Sequence, residues 1–268
     1  MENHAVLVDL SKCIGCRGCQ VACKQWQDLP GLKTQNTGSY QNPPRRNAKT
    51  YMLIEFHELE KANQVQWVFA KRQCMHCNEP ACASACTVGA LIKREDGPVV
   101  YDTEKCIGCR YCMYACPFGV PMFEWDKEFS LVSKCNFCVD RLDSGEQPSC
   151  TKTCPPGALK YGTREAMLDV AYNRIYTNPG KYIKHVYGER EVGGTSWLYI
   201  SSVPFEDLGF PKLPERSDVE LSHTVMHLTP TIAGGMALAL SGLYWVINRR
   251  RQAEKLAAES TKESHDAK

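Results

Sequence analysis

Several signatures that would place the chain in a common class are missing from it. The N-terminus, MENHAVLVDL, has no apolar export segment, which argues against a secreted scaffold held by disulfides. Arg45 and Arg46 are internal and no apolar run follows them directly, so they are no twin-arginine signal. Formal net charge is only +2, which implies no strongly basic face, and the cysteine loops lack the C-x2-C to H-x3-H arrangement of DNA-reading fingers. A nucleic-acid partner is therefore not expected. Asp140, Arg141 and Asp143, with Glu165 or Glu191, make no recognisable acid–base pair. With no nucleophile–base pairing and no phosphate-binding glycine loop, catalysis by this chain alone is not expected.

Cysteine, by contrast, is abundant and orderly: all sixteen fall into four groups of four. The third group, Cys106, Cys109, Cys112 and Cys116 followed by Pro117, has the C-x2-C-x2-C-x3-C spacing that wraps thiolates around a cubane iron–sulfur cluster. The first, Cys13, Cys16, Cys19 and Cys23, repeats that spacing, and CIGCR opens both, which indicates an internal duplication. The second, Cys74, Cys77, Cys82 and Cys86, and the fourth, Cys135, Cys138, Cys150 and Cys154, keep the x2 start and x3 finish around a longer middle. Pro155 follows the fourth group as Pro117 follows the third, whereas Lys24 and Thr87 stand in the equivalent places of the others, so proline is no ligand requirement. Three cysteines on a tight loop reach three irons of one cluster, and the fourth, on the next helical turn, ligates its neighbour. Gly15 and Gly108 allow backbone amides to approach sulfur. A zinc site has four ligands and no use for this run. Electron transfer is the expected role.

Between the groups lie a polar stretch over 31–47 and two strand candidates, Tyr51–Phe56 and Val65–Phe69, joined through Glu58–Asn63 as a hairpin. Thr163–Tyr176 has apolar residues at helical spacing and is expected to pack on the cluster domain. Leu228–Ile247 has no charged residue and is about as long as a hydrocarbon core is thick. It is read as a single membrane helix, with Gly234, Gly235 and Gly242 allowing close approach of other helices. Arg249, Arg250 and Arg251 follow it, so the tail is expected to face the cytoplasm and the cluster domain the periplasm, exported with a partner that carries the signal. Lys105, Arg110 and Lys134 adjoin ligands as solvated charges or as groups raising nearby potentials. His76 is expected to pack, and His223 and His227 to be interfacial residues.

The stretches CIGCRGCQVAC, CMHCNEPAC, CIGCRYCMYACPFGVP, KCNFCVDRLDSGEQPSCTKTCPPGAL and EVGGTSWLYI, ahead of one terminal membrane helix, closely resemble the beta (iron–sulfur) subunits of respiratory membrane-bound formate dehydrogenases, within the molybdopterin oxidoreductase family. The resemblance implies an α+β fold with two ferredoxin-like units, each holding two of four [4Fe-4S] clusters, a β-hairpin insertion and one C-terminal transmembrane helix. It implies crossed ligand sets: Cys13, Cys16, Cys19 and Cys154 (A); Cys135, Cys138, Cys150 and Cys23 (B); Cys74, Cys77, Cys82 and Cys116 (C); Cys106, Cys109, Cys112 and Cys86 (D). The expected organisation is 1–30 with 130–165 as the first unit, 31–70 as the insertion and 71–129 as the second unit. A linker and partner-contact segment over 166–227, a membrane helix over 228–248 and a tail over 249–268 complete it. Partners implied are a molybdopterin catalytic subunit carrying Mo or W, a membrane cytochrome b and the lipid of the inner (cytoplasmic) membrane, with electrons passing on to quinone. The equivalent subunit of a membrane-bound nickel–iron hydrogenase stays open as an alternative, and so does a zinc-stabilised membrane scaffold.

Overall fold

The computed structural model describes residues 2–266 apart from Ala62, Asp126, Phe129 and Asp218; the side chains of 61, 220–227 and 256–266, His223 and His227 among them, lie outside the described set. The chain divides into two compact units, Met1–Val219 and Glu220–Lys268.

In the first unit, strand β1 (His4–Asp9) is followed by helix α1 (Gly18–Trp26), then β2 (Leu53–Lys61), β3 (Gln64–Arg72), α2 (Ala81–Ser84), β4 (Leu91–Lys93) and β5 (Val99–Tyr101). The order continues with α3 (Tyr111–Ala115), α4 (Val139–Asp143), α5 (Ser149–Lys152), β6 (Leu159–Thr163), α6 (Arg164–Thr177) and β7 (Trp197–Ile200). β1 is the centre of a three-stranded sheet, antiparallel to β6 and parallel to β7. Its sequence HAVLVD suits that place, because a strand covered on both faces is apolar at successive positions rather than at alternate ones. Ala5 and Leu7 point to the side covered by α6, with Met167, Ala171 and Ile175, while Val6 and Val8 point to a core shared with Met75, Phe137 and Trp197. Asp9 ends the strand fully buried, where its Oδ2 accepts from Arg174 Nη1 at 2.8 Å and Tyr182 Oη at 2.9 Å.

β2 and β3 pair antiparallel from Leu53 opposite Arg72 to Lys61 opposite Gln64. β2 starts two residues later than the expected Tyr51–Phe56 but runs on to Lys61, and β3 extends beyond the expected Val65–Phe69 at both ends. Glu58 and Glu60 alternate with Leu59 and continue the ladder instead of forming the connection. The helix expected over Thr163–Tyr176 is α6, packed on β1 as its period implied, whereas the rest of the 166–227 segment, expected to be a linker and partner-contact stretch, supplies the buried strand β7; Trp197, Leu198, Tyr199 and Ile200 are each at most 1% exposed. Thr163 caps α6 by accepting from the Ala166 amide.

The second unit is one helix, α7 (Val219–Asp266, its first residue in the preceding unit), of which Leu228–Lys255 is long and apolar enough to cross a membrane and is not buried within the fold. The helix extends past the expected 228–248 because the following RRRQAEKLAAE is rich in strong helix formers.

Candidate metal centres

In the first three cysteine groups a CxxC loop leads into a short helix at the last two cysteines, whereas in the fourth the loop leads into α4 and the last two cysteines come with the next helix, α5. Cys19 and Cys23 lie on α1, Cys82 and Cys86 on and just past α2, Cys112 and Cys116 on and at the end of α3, and Cys150 and Cys154 on and just past α5. The x3 spacing therefore sets two sulfurs one helical turn apart on one face. α1 packs against α5, and α2 against α3, so group one meets group four and group two meets group three.

In every loop the residue before the second cysteine is left-handed: Gly15 (φ +66°), His76 (+49°), Gly108 (+70°) and Phe137 (+64°). Such turns gather successive backbone amides into a concavity that suits an anion. The amides of Ala90 and Phe137 donate to Cys86 Sγ at 3.1 Å and to Cys135 Sγ at 3.4 Å. His76 and Phe137 tolerate a conformation rare for such side chains because packing holds them. Both are at most 1% exposed, their rings meet edge to face at 4.8 Å, and Phe137 also packs edge to face on Trp197.

The electrostatics of the thiols follow this packing. Burial pushes the Cys13 thiol up, the Gly15 amide opposes this, and Cys154 and Cys16 add to the rise. Cys19 is pushed up to about 12 by burial, against Lys71, with Cys150, Cys13 and Cys154 adding to the rise. Burial takes Cys23 to about 12, with Cys150 and Cys138 beside it. Cys135 is raised by burial and then by Cys23, Cys74 and Cys138, and Cys138 reaches about 11 by burial, with Cys150 adjacent. Burial raises Cys77, beside Cys74, Cys116 and Cys82, and takes Cys82 to about 12, beside Cys74, Cys116 and Cys112. Cys112 rises to about 11 through burial and then Cys109, Cys106 and Cys86. Buried thiols of this kind give up their protons to a cationic centre that takes the charge.

The chemistry of this donor set fits iron–sulfur cubanes. All sixteen thiols are free, so no disulfide joins them. Among the described residues no three His, Cys, Asp or Glu side chains converge tightly enough for a single metal ion, whereas tetrahedral zinc at about 2.3 Å from each sulfur needs that convergence. The neutral His76 ring supplies a second indication. Its Nδ1 accepts from the Val99 amide at 2.9 Å, which puts the proton on Nε2, and that buried atom has no protein partner. Burial, followed by Lys134, Lys93 and Lys71, holds this imidazole well below its ordinary pKa. A donor left over inside a cysteine loop is what an acceptor absent from the polypeptide requires.

Of the charges flagged by sequence, Lys134 is buried and donates to the carbonyls of Val99 and Cys135. Arg110 lies 4.2 Å from the Trp125 ring centroid, and Lys105 is exposed and paired with Asp102 at 3.0 Å. Sequence reasoning missed Lys71 and Arg46. Lys71 sits in β3, outside every motif, and Arg46 in the polar 31–47 stretch, yet their charges act on Cys19 and Cys116. No local signal marks either.

Two family models, both described as 4Fe-4S dicluster domain, match residues 12–90 and 65–164. A protein of Nitratidesulfovibrio vulgaris is 41% identical over 98% of this chain and 71% of its own length. The nitrate-inducible formate dehydrogenase iron–sulfur subunit of Escherichia coli K12 is 39% identical over 89% of this chain and 82% of its own. The hydrogenase-2 operon protein HybA of Escherichia coli O157:H7 is 35% identical over 89% and 81%. With thiol loops of this geometry and relatives aligned over most of both chains, the chain belongs to the family of formate dehydrogenase iron–sulfur subunits.

Proposed function

We propose that this chain is the electron relay of a membrane-bound formate dehydrogenase, taking electrons from a molybdopterin catalytic subunit and delivering them to a membrane cytochrome b and quinone. Four [4Fe-4S] clusters would supply one-electron chemistry. The ligand sets are Cys13, Cys16, Cys19 and Cys154; Cys135, Cys138, Cys150 and Cys23; Cys74, Cys77, Cys82 and Cys116; and Cys106, Cys109, Cys112 and Cys86. The observation that carries this is the packing of α1 on α5 and of α2 on α3, which puts group one by group four and group two by group three; the influence of Cys150 on Cys19, of Cys74 on Cys135 and of Cys112 on Cys82 supports sets arranged in series. The two ferredoxin-like units are then 1–30 with 130–165, and 71–129, joined where the His76 and Phe137 rings meet. The chain's own part is to hold and insulate: its loops aim amides at sulfur, and its core shields part of the thiol set from water, Cys19, Cys23, Cys138 and Cys150 among them, while Cys16 and Cys109 stay exposed.

Cys135→Ser tests the relay in the purified complex. Formate oxidation with an artificial dye should persist while quinone reduction falls by a factor of ten or more; equal loss in both assays would sink the wire role. Similarity to HybA supports a second reading, service to a nickel–iron hydrogenase. Proteins that co-purify in mild detergent separate the two, a molybdopterin subunit for one and a nickel–iron subunit for the other.

A further inference from the structure

Lys71 points from β3 into the interior, where it is 2% exposed. Its Nζ donates to Gln73 Oε1 at 2.9 Å and lies 3.8 Å from the Trp197 ring centroid. Gln73 is held for this contact: its amide nitrogen donates to the Tyr199 hydroxyl at 2.6 Å, which donates in turn to the Lys71 carbonyl at 3.1 Å. That chain of bonds leaves only the oxygen of the amide for the ammonium.

What the ammonium lacks is an anion. Arg141 and Arg174, on other parts of the fold, pair with Glu146 and Asp9. Among the described residues no carboxylate lies within ion-pair distance of Lys71. One amide oxygen and one indole face are weak compensation for a buried charge. Geometry places it beside groups one and four: Phe69, on the same face of β3 as Lys71, packs against Gly15 in the loop of group one, and Trp197, whose ring lies against the ammonium, shares one core with Cys19, Cys23 and Cys150. The nearby anionic groups are therefore sulfurs, and the Lys71 charge acts on Cys13, Cys19, Cys23 and Cys135.

We propose that Lys71 is the shared counter-cation of the two clusters bound by groups one and four, and that it raises the reduction potentials of both. The inference rests on the four-cluster reading above. Each reduction adds one electron and one negative charge with no bond made or broken, so a fixed neighbouring cation favours the reduced state. Lys71 touches no reacting atom; it acts as a positioning charge, with Gln73 and Tyr199 holding it in place.

The test is a redox titration followed by electron paramagnetic resonance on the detergent-purified complex carrying Lys71→Met, which keeps length and packing and removes the charge. Signals are assigned with Cys19→Ser and Cys138→Ser. At the wild-type midpoints of the two clusters of groups one and four, the reduced fraction should fall about tenfold relative to the oxidised one, a displacement of about 59 mV to more negative values for one electron. The other two midpoints should stay in place. Full iron content with all four midpoints unmoved overturns the proposal. If Lys71→Met does not load its clusters, Lys71→Arg decides: loading and wild-type midpoints with Arg support the charge, and failure with both overturns it. Iron in the unaltered complex far below about four per cysteine group would instead sink the four-cluster reading itself.

Discussion

Gly188 shows how closely backbone meets backbone beside β7. Its φ is +93°, and a Cβ there would stand 2.2 Å from the Trp197 carbonyl oxygen and 2.6 Å from Thr195 Oγ1. Gly157 is also left-handed (φ +60°) but has open space where a Cβ would go. Both alanine variants carry left-handed strain of roughly 1–2 kcal/mol, whereas only Gly188→Ala must also push a buried strand away from its neighbour. Gly188→Ala is therefore expected to cost at least about 3 kcal/mol in all, and Gly157→Ala about 1 kcal/mol. Thermal unfolding of the intact complex, followed by loss of visible absorbance, reads both. Equal shifts would refute the role assigned to the Trp197 carbonyl. The cysteines belong to the same scale, and there sequence was most informative: thiolates around one cluster must be close in the chain to form a tight loop, so C-x2-C-x2-C-x3-C carries its chemistry openly. Lys71 acts through tertiary proximity to Cys19 and Cys23, some fifty residues away in sequence, and no spacing rule reaches that far.

Among the elements, the β2–β3 hairpin is tied down at its base. Arg72 donates from Nε to Glu55 Oε2 at 2.8 Å and from Nη2 to the Leu208 carbonyl at 2.7 Å, while its guanidinium stacks 3.8 Å from the Phe210 centroid. Burial works against the charge of Glu55, yet His57 and Arg72 together hold its carboxyl below the usual carboxylate range. A depressed folded-state pKa contributes stability that is present above the unfolded value, about 4.3, and is lost as pH falls through the lower folded value. Glu55→Gln should accordingly be less stable by roughly 1 kcal/mol near neutral pH. The gap in unfolding midpoint between the variant and the wild type should narrow as the solution is acidified. A gap that widens in acid would contradict the assignment. The hairpin's extent was only half legible because Glu58 and Glu60 read as connection, although a strand with one open face carries charge at alternate positions. The period of Thr163–Tyr176 announced α6, whereas β7 was undervalued for a related reason. EVGGTSWLYI has too few residues to show a period, and its burial comes from pairing with β1, at the other end of the unit's sequence.

At the scale of the molecule, α7 is where composition spoke plainly, since an uncharged run of about twenty residues has few other uses. Leu228–Ile247 is uncharged on every side, with Leu238 77% exposed and Tyr244 70% exposed. Arg249, Arg250 and Arg251 close the apolar run, and the bias of basic residues toward the cytoplasm gives the expectation of a tail that faces inward. A cysteine placed in the tail should then be labelled in inverted vesicles and protected in right-side-out cells; the reverse pattern would put the cluster unit on the cytoplasmic side. Removal of the helix is the sharper test of what it does. The cluster unit has its own core, built from β1, α6 and β7, and none of the sixteen thiols lies in α7. Truncation before Leu228 should thus leave iron content and dye-coupled formate oxidation near wild type. It should cut quinone reduction about tenfold or more and release the cluster-bearing complex from washed membranes, because an anchor of this length is worth far more than any peripheral contact. Should quinone reduction survive the truncation unchanged while the complex stays on the membrane, the cytochrome alone provides both attachment and coupling, and α7 has another use.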